Sequence, residues 1–123
     1  MKVPVADGAQ VRLFGRWWRN VREVPRHLCL PSTAGLRRMF ERYGLIQVRQ
    51  RAASLFENAC MFGTTLYPWA IPYRNAQAAI PPTAKLLNTG IGAALTYLSL
   101  PEALLEAAVG RASTVIVAAQ RIA

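Results

Sequence analysis

Acidic side chains are scarce in this chain: six Asp and Glu stand against fifteen Lys and Arg, leaving a net charge of +9 over 123 residues. One histidine and two cysteines make an equally thin stock of ligating and nucleophilic groups. A zinc-type site wants more ligands than His27, Cys29 and Cys60 offer at this spacing, so no metal is expected. The opening MKVPVADG has no apolar run of the length a secretory leader needs, and two cysteines without one read as reduced thiols in a cytoplasmic protein. A clean membrane span is missing too. Residues 53–73 are interrupted by Glu57, Asn58, Pro68 and Pro72, and residues 86–109 by Asn88, Pro101, Glu102 and Glu106, where a span wants about 20 predominantly apolar residues. Contact with a membrane surface stays open; a crossing is not expected. No internal repeat appears.

What is present is apolar substance and one-sided charge. A hydrophobic share of 53% is ample for the core of one small domain. Residues 1–51 carry eleven basic and three acidic side chains, net +8, and residues 52–123 only four and three, net +1. A basic front suits a phosphate-bearing partner or an anionic membrane surface. No aromatic-basic recognition motif or zinc spacing accompanies it, which favours a solvated surface bias over a nucleic-acid patch.

Along the chain, Val3-Pro4-Val5 reads as the tail of a strand broken by a turn at Asp7-Gly8. Residues 11–18 mix arginines with large apolar groups around Gly15 and suggest a short helix or loop, with one of Trp17 and Trp18 in the core and the other a partly exposed lid. Pro25 and Pro31 push Val24 and Leu30 away from helix, so the Pro25-Arg26-His27-Leu28 stretch is expected to be extended. Ser32 or Thr33 can cap a helix whose Leu36, Met39, Phe40 and Tyr43 share one face, closed by Gly44. Residues 45–51 then alternate as a strand, making an α/β unit.

The second half is less regular. Leu55, Phe56, Ala59, Cys60 and Phe62 fit a helical face, ended by Pro68 and Pro72 around Trp69. Residues 75–83, with Pro81-Pro82, read as a linker, and residues 84–98 as a helix weakened by Gly90 and Gly92. Ser99-Leu100-Pro101-Glu102 has a capping-box pattern that predicts a helix to Val109 stopped by Gly110. Thr114-Val115-Ile116-Val117 and the two alanines after it predict a strand buried on both faces.

These residues, in this order, resemble the carboxy-terminal part of class I S-adenosylmethionine-dependent methyltransferases of the small-molecule kind. The resemblance is carried by Val3-Pro4-Val5-Ala6-Asp7, by Phe14-Gly15-Arg16-Trp17-Trp18, by Pro25-Arg26-His27-Leu28, and by Ser32 through Leu36 to Gly44. It is specific over residues 3–51, weak over 53–110, and returns at the last strand. It implies an incomplete Rossmann-like α/β fold, its last strands plus helices. Residues 1–52 would form the acceptor-side loop, helix and strand, 53–110 a helical insertion, and 111–123 the last strand, inserted antiparallel between the two earlier ones.

In an open α/β sheet ligands sit beyond the carboxyl ends of the strands, so the resemblance puts the loop 7–29 at the mouth that receives a small-molecule methyl acceptor. Arg16, Trp17, Trp18 and Arg26 are then substrate-contact candidates. His27 is either the base that takes a proton from the acceptor or a structural tie for the loop. The family's glycine-rich cofactor turn and the acidic residue after it are missing. The one Gly-x-Gly, at Gly90-Ile91-Gly92, follows no predicted strand. S-adenosylmethionine therefore belongs to the complete enzyme, no cofactor is expected for this chain alone, and a missing amino-terminal half is an expected partner. Without it the apolar faces of Val115 and Val117 are expected to lie uncovered and to promote association. Two readings of a different class also stay open: a non-enzymatic protein whose arginine-rich front binds nucleic acid or an anionic membrane surface while its apolar rear packs as a helical bundle, and a protein bound at a membrane surface through residues 53–109.

Overall fold

The computed structural model describes residues 1–22 and 29–121, apart from the side chain of Tyr73. The extended stretch expected around Pro25-Arg26-His27-Leu28 lies outside the described residues. The architecture is mixed α/β. Its sheet has three strands, β1 (Lys2–Pro4), β2 (Leu45–Ala52) and β3 (Thr114–Arg121), in the order β1-β3-β2. The last strand of the chain runs antiparallel to both neighbours, with Val3 opposite Val115 on one side and Ala52 opposite Val115 on the other. The β2 pairing is irregular between Gln47 and Arg49.

Alternation sends Val115 and Val117 to one face, and α2 (Thr33–Arg42) covers it with Leu36 and Phe40. Val5 and Ala112 complete this cluster. The expected uncovered face is thereby corrected: Val115 is 3% and Val117 1% exposed, because one amphipathic helix is wide enough to roof the central strand. Burial on both faces stops at Val117, and Ala118 onward is exposed. Each large aliphatic side chain taken out of water here contributes roughly 1.5–3 kcal/mol.

Local chemistry accounts for the roof helix. Ser32 is its cap, its Oγ accepting from the Gly35 amide at 3.0 Å. The Asp7 carboxylate accepts from the Thr33 amide at 3.0 Å and from the Thr33 hydroxyl, placing negative charge at the helix start and tying the turn after β1 to it. Gly44 turns the chain into β2 with φ of 69°. Of the expected apolar stripe only Leu36 and Phe40 are buried, while Met39 and Tyr43 overhang.

Eight further elements, among the described residues, carry the rest. Helix α1 (Ala9–Phe14) and two 3₁₀ turns, Gly15–Trp17 and Arg19–Arg22, form the front loop. Helices α3 (Leu55–Leu66), α4 (Pro72–Gln77), α5 (Pro82–Leu98) and α6 (Leu100–Ala108) form a separate layer in which α3 packs on α5 and α6. The expected linker is mostly helix. Asn75 is buried, its Nδ2 donating to the Lys85 carbonyl at 2.8 Å and to Thr89 Oγ1 at 3.1 Å. Such pairings hold α4 against α5, and a Pro-rich composition does not reveal them. Gly92 lets the Pro68–Ala70 turn approach α5, since a Cβ there would stand 2.5 Å from that of Ala70.

The capping box does not form. Ser99 has helical dihedrals and its Oγ donates back to the Leu95 carbonyl at 2.7 Å, because α5 runs directly into α6. Glu102 instead lies half-buried beside Glu106. Burial, and then the charge of Glu106, push its carboxyl up to about 8. No helix among the described residues is long and apolar enough to cross a membrane.

Candidate functional site

The front loop is held by a buried polar knot. Gln10, fully buried, donates from Nε2 to the Asn58 carbonyl at 2.9 Å and to Glu106 Oε2 at 3.2 Å. Its Oε1 accepts from the Trp18 indole at 3.0 Å. Ser113 Oγ accepts from the Gln10 amide at 2.9 Å and donates to Glu106 Oε1 at 3.0 Å, and Asn58 Oδ1 accepts from the Thr114 amide at 3.0 Å. One residue on α1 thus ties Trp18 to α3 and α6 through its side chain and to the entry of β3 through its backbone amide. A knot this buried and this well paired fixes geometry, because removing any member leaves its partners unpaired.

Of the two tryptophans, Trp18 is fully buried and offers no surface to a ligand. Trp17 is 58% exposed, with the guanidinium groups of Arg16 and Arg22 at 5.2 and 5.6 Å from its ring. The lid-and-core division expected for the pair is the observed one. Arg26 and His27 lie outside the described residues.

Trp17, Arg19, Arg22, Thr64 and Thr65 line a narrow neck between the front loop and α3. Arg19 donates from its amide to Thr65 Oγ1 at 3.2 Å and from its guanidinium to Thr64 Oγ1 at 3.1 Å. Past the neck the surface opens into a cleft of about 470 Å³ lined by Arg22, Pro68, Trp69, Arg74 and Gln77. Arg22 is the last described residue before the stretch that holds Arg26 and His27.

The chemistry of this cleft is binding. Two guanidinium groups suit a carboxylate or phosphate in bidentate fashion, and an exposed indole suits an apolar or planar body. Among the described residues, neither Arg22 nor Arg74 pairs with a carboxylate, and the lining contains no His, Asp or Glu. Nor does any group of three or more His, Cys, Asp or Glu among them suit a metal. Cys29 is exposed and Cys60 half-buried, both free.

Trp69 and Arg74 were absent from the sequence candidates, and so was Arg22. The only local signal was the proline pair around Trp69; that this turn meets the front loop is a tertiary fact. The knot residues Gln10, Asn58, Glu106 and Ser113 carry no local signal of their role. No protein-family model, curated protein or solved structure matches the chain.

Proposed function

We propose that this chain is the acceptor-binding, carboxy-terminal portion of a class I S-adenosylmethionine-dependent methyltransferase acting on a small molecule. The observation that carries the reading is topological: β3 lies antiparallel between β1 and β2, with α2 connecting the outer two. That is the order the resemblance implies for the last three strands of such an enzyme. The front loop, Trp17 with Arg16 and Arg22, and the cleft beside them would receive an acceptor with an apolar or planar body and an anionic group. Arg26 and His27, outside the described residues, are acceptor-side candidates by the resemblance alone.

S-adenosylmethionine does not fit the residues present. Gly90-Ile91-Gly92 lies inside α5, with Gly92 packed on Ala70, and does not form a ligand-cradling turn. The cofactor belongs with a missing amino-terminal portion, and no methyl-transfer step is assigned to the described residues.

The coding sequence upstream of Met1 and a binding assay test this together. A frame that continues into a glycine-rich strand-turn-helix unit, and an extended protein that binds S-adenosylmethionine where the chain of 123 residues does not, would support the reading. Tight cofactor binding by the present chain, or unrelated sequence upstream with salt-sensitive polynucleotide binding, would overturn it.

A further inference from the structure

A second hollow, of about 420 Å³, lies in the helical layer between α3, α4 and α5 and shares no lining residue with the arginine-lined cleft. Small residues leave the room for it: Ala70 in the Pro68–Ala70 turn, Ala76 on α4, and Gly92 and Ala93 on α5. Phe56, half exposed and with its ring edge-on to Tyr97 at 6.0 Å between centroids, is the one aromatic side chain of the wall. The free thiol of Cys60, half-buried, lines it from α3. A volume of this order is that of a small-molecule site.

The neutral polar groups of the wall are already spent within the protein. Thr64 donates its hydroxyl to the Cys60 carbonyl at 2.6 Å, Thr96 to Gly92 at 2.8 Å and Thr89 to Lys85 at 2.9 Å. Asn75 donates to the Lys85 carbonyl at 2.8 Å and accepts from Asn88 at 3.2 Å. Such a wall offers a ligand mainly apolar contact. Lys85 is the exception. Its Nζ donates to the Ala76 carbonyl at 2.9 Å, which uses one of three ammonium protons. Among the described residues no carboxylate pairs with it, and none lines the hollow. It also stands in the first turn of α5, whose amino end has no side-chain cap, so the partial charge of the helix adds to its own.

We infer that this hollow binds a medium-chain aliphatic carboxylate, with its carboxylate on the Lys85 ammonium and its alkyl chain against the small residues of α3, α4 and α5. Charge complementarity selects the headgroup: one unpaired cation matches a monoanion, whereas a dianionic phosphate would leave a second charge without a partner beside an apolar wall. The wall selects the body. Apart from Phe56 its apolar part is aliphatic, and its neutral donors are engaged, so an alkyl chain loses nothing there that a polar ligand would require. The inference stands on the helical layer alone and does not depend on methyl transfer.

Calorimetric titration of the full chain with octanoate, decanoate and 1-decanol, each below its micelle-forming concentration, tests it. Decanoate should bind about tenfold tighter than octanoate, the worth of two buried methylenes. It should also bind about tenfold tighter than 1-decanol, and Lys85→Gln should abolish that preference while leaving decanol binding unchanged. Ala93→Phe, at an exposed position of α5, should fill the hollow and weaken decanoate by about tenfold or more with an unchanged circular dichroism spectrum. In a Cys29→Ser chain, saturating decanoate should slow alkylation of Cys60 by iodoacetamide about tenfold or more. Absence of saturable decanoate binding, or equal affinity for decanoate and decanol, overturns the inference. Binding that leaves Cys60 alkylation and the Ala93→Phe variant unaffected overturns it too, in favour of adsorption on the exposed leucines of α5 and α6.

Discussion

Around β3 the interior is hydrocarbon, with Val5, Leu36, Phe40, Val115 and Val117 packed together under a helix whose other face is arginine and glutamate. Between α3, α5 and α6 the interior mixes amide, hydroxyl and carboxyl groups with small apolar residues such as Ala59 and Ala103, and several leucines face outward. The first region obeys the ordinary arrangement for a protein in water and the second inverts it. One chain of this size thus holds together by two means: transfer of apolar surface from water on the sheet side, and satisfied hydrogen bonds with close backbone approach on the helical side. Burial in the first is non-directional and forgiving of detail. Pairing in the second is directional, and each partner depends on the other.

Substitutions can break that contrast. The largest effect belongs to Leu36→Ala, which empties a buried site under α2 and should cost roughly 2–5 kcal/mol in urea unfolding. Leu98→Ala, the same truncation on the exposed helical face, should stay within about 0.5 kcal/mol. Similar losses at the two leucines would mean that the two regions do not differ as described.

Next in size is Gln10→Ala. It strands the Trp18 indole and the Asn58 carbonyl without partners and should cost about 1–3 kcal/mol, with a change in tryptophan fluorescence as the Trp18 environment alters. Ser32→Ala should remove about 1 kcal/mol, as loss of a true cap does. Ser99→Ala, at the capping pattern that does not form, should remove less than about 0.5 kcal/mol. Thermal unfolding of the two serine variants in parallel separates them.

The smallest effect is that of Glu102, because its side chain is only half out of water and solvent screens it. In the fold its carboxyl keeps a proton up to about pH 8, against an ordinary value of 4.5. Stability from this group is therefore full below pH 4.5, falls as pH rises from 4.5 towards 8, and is lost above. Glu102→Gln should flatten that slope in unfolding curves taken across the window. An unchanged slope would mean that the carboxyl is ionised in the fold.

Much of the sheet side was legible from residue order. Ser32 as cap, Gly44 as stop, the alternation after it and the β-branched run before Ala118 act within a few residues of themselves, and the observed elements begin and end within a residue or two of where those signals put them. The candidate site was legible only in part. Trp17 and Trp18 divide as expected, and Arg16 lies on Trp17, but the cleft wall comes from Trp69 and Arg74, far along the chain. Gln10 meets Asn58 across 48 residues and Glu106 across 96, and nothing local to any of the three announces the meeting. The capping pattern at Ser99 misled for the related reason that a hydroxyl chooses among partners, and the continuing α5 supplied a nearer one.

Residue order by itself determined the α/β unit from Ser32 to Ala52, the last strand and the excess of positive charge, because propensity, capping and side-chain count are settled by near neighbours and by composition. Only the tertiary structure decided that α2 roofs Val115 and Val117, that Gln10 and Glu106 meet, that the Pro68–Ala70 turn closes a cleft with Arg22, and that the leucines of α5 and α6 face outward. A periodic pattern identifies a helix's faces. Which face turns inward depends on what the rest of the chain brings against it, and here Asn58, Thr64 and Thr96 are enclosed while Leu86, Leu98 and Leu105 face outward.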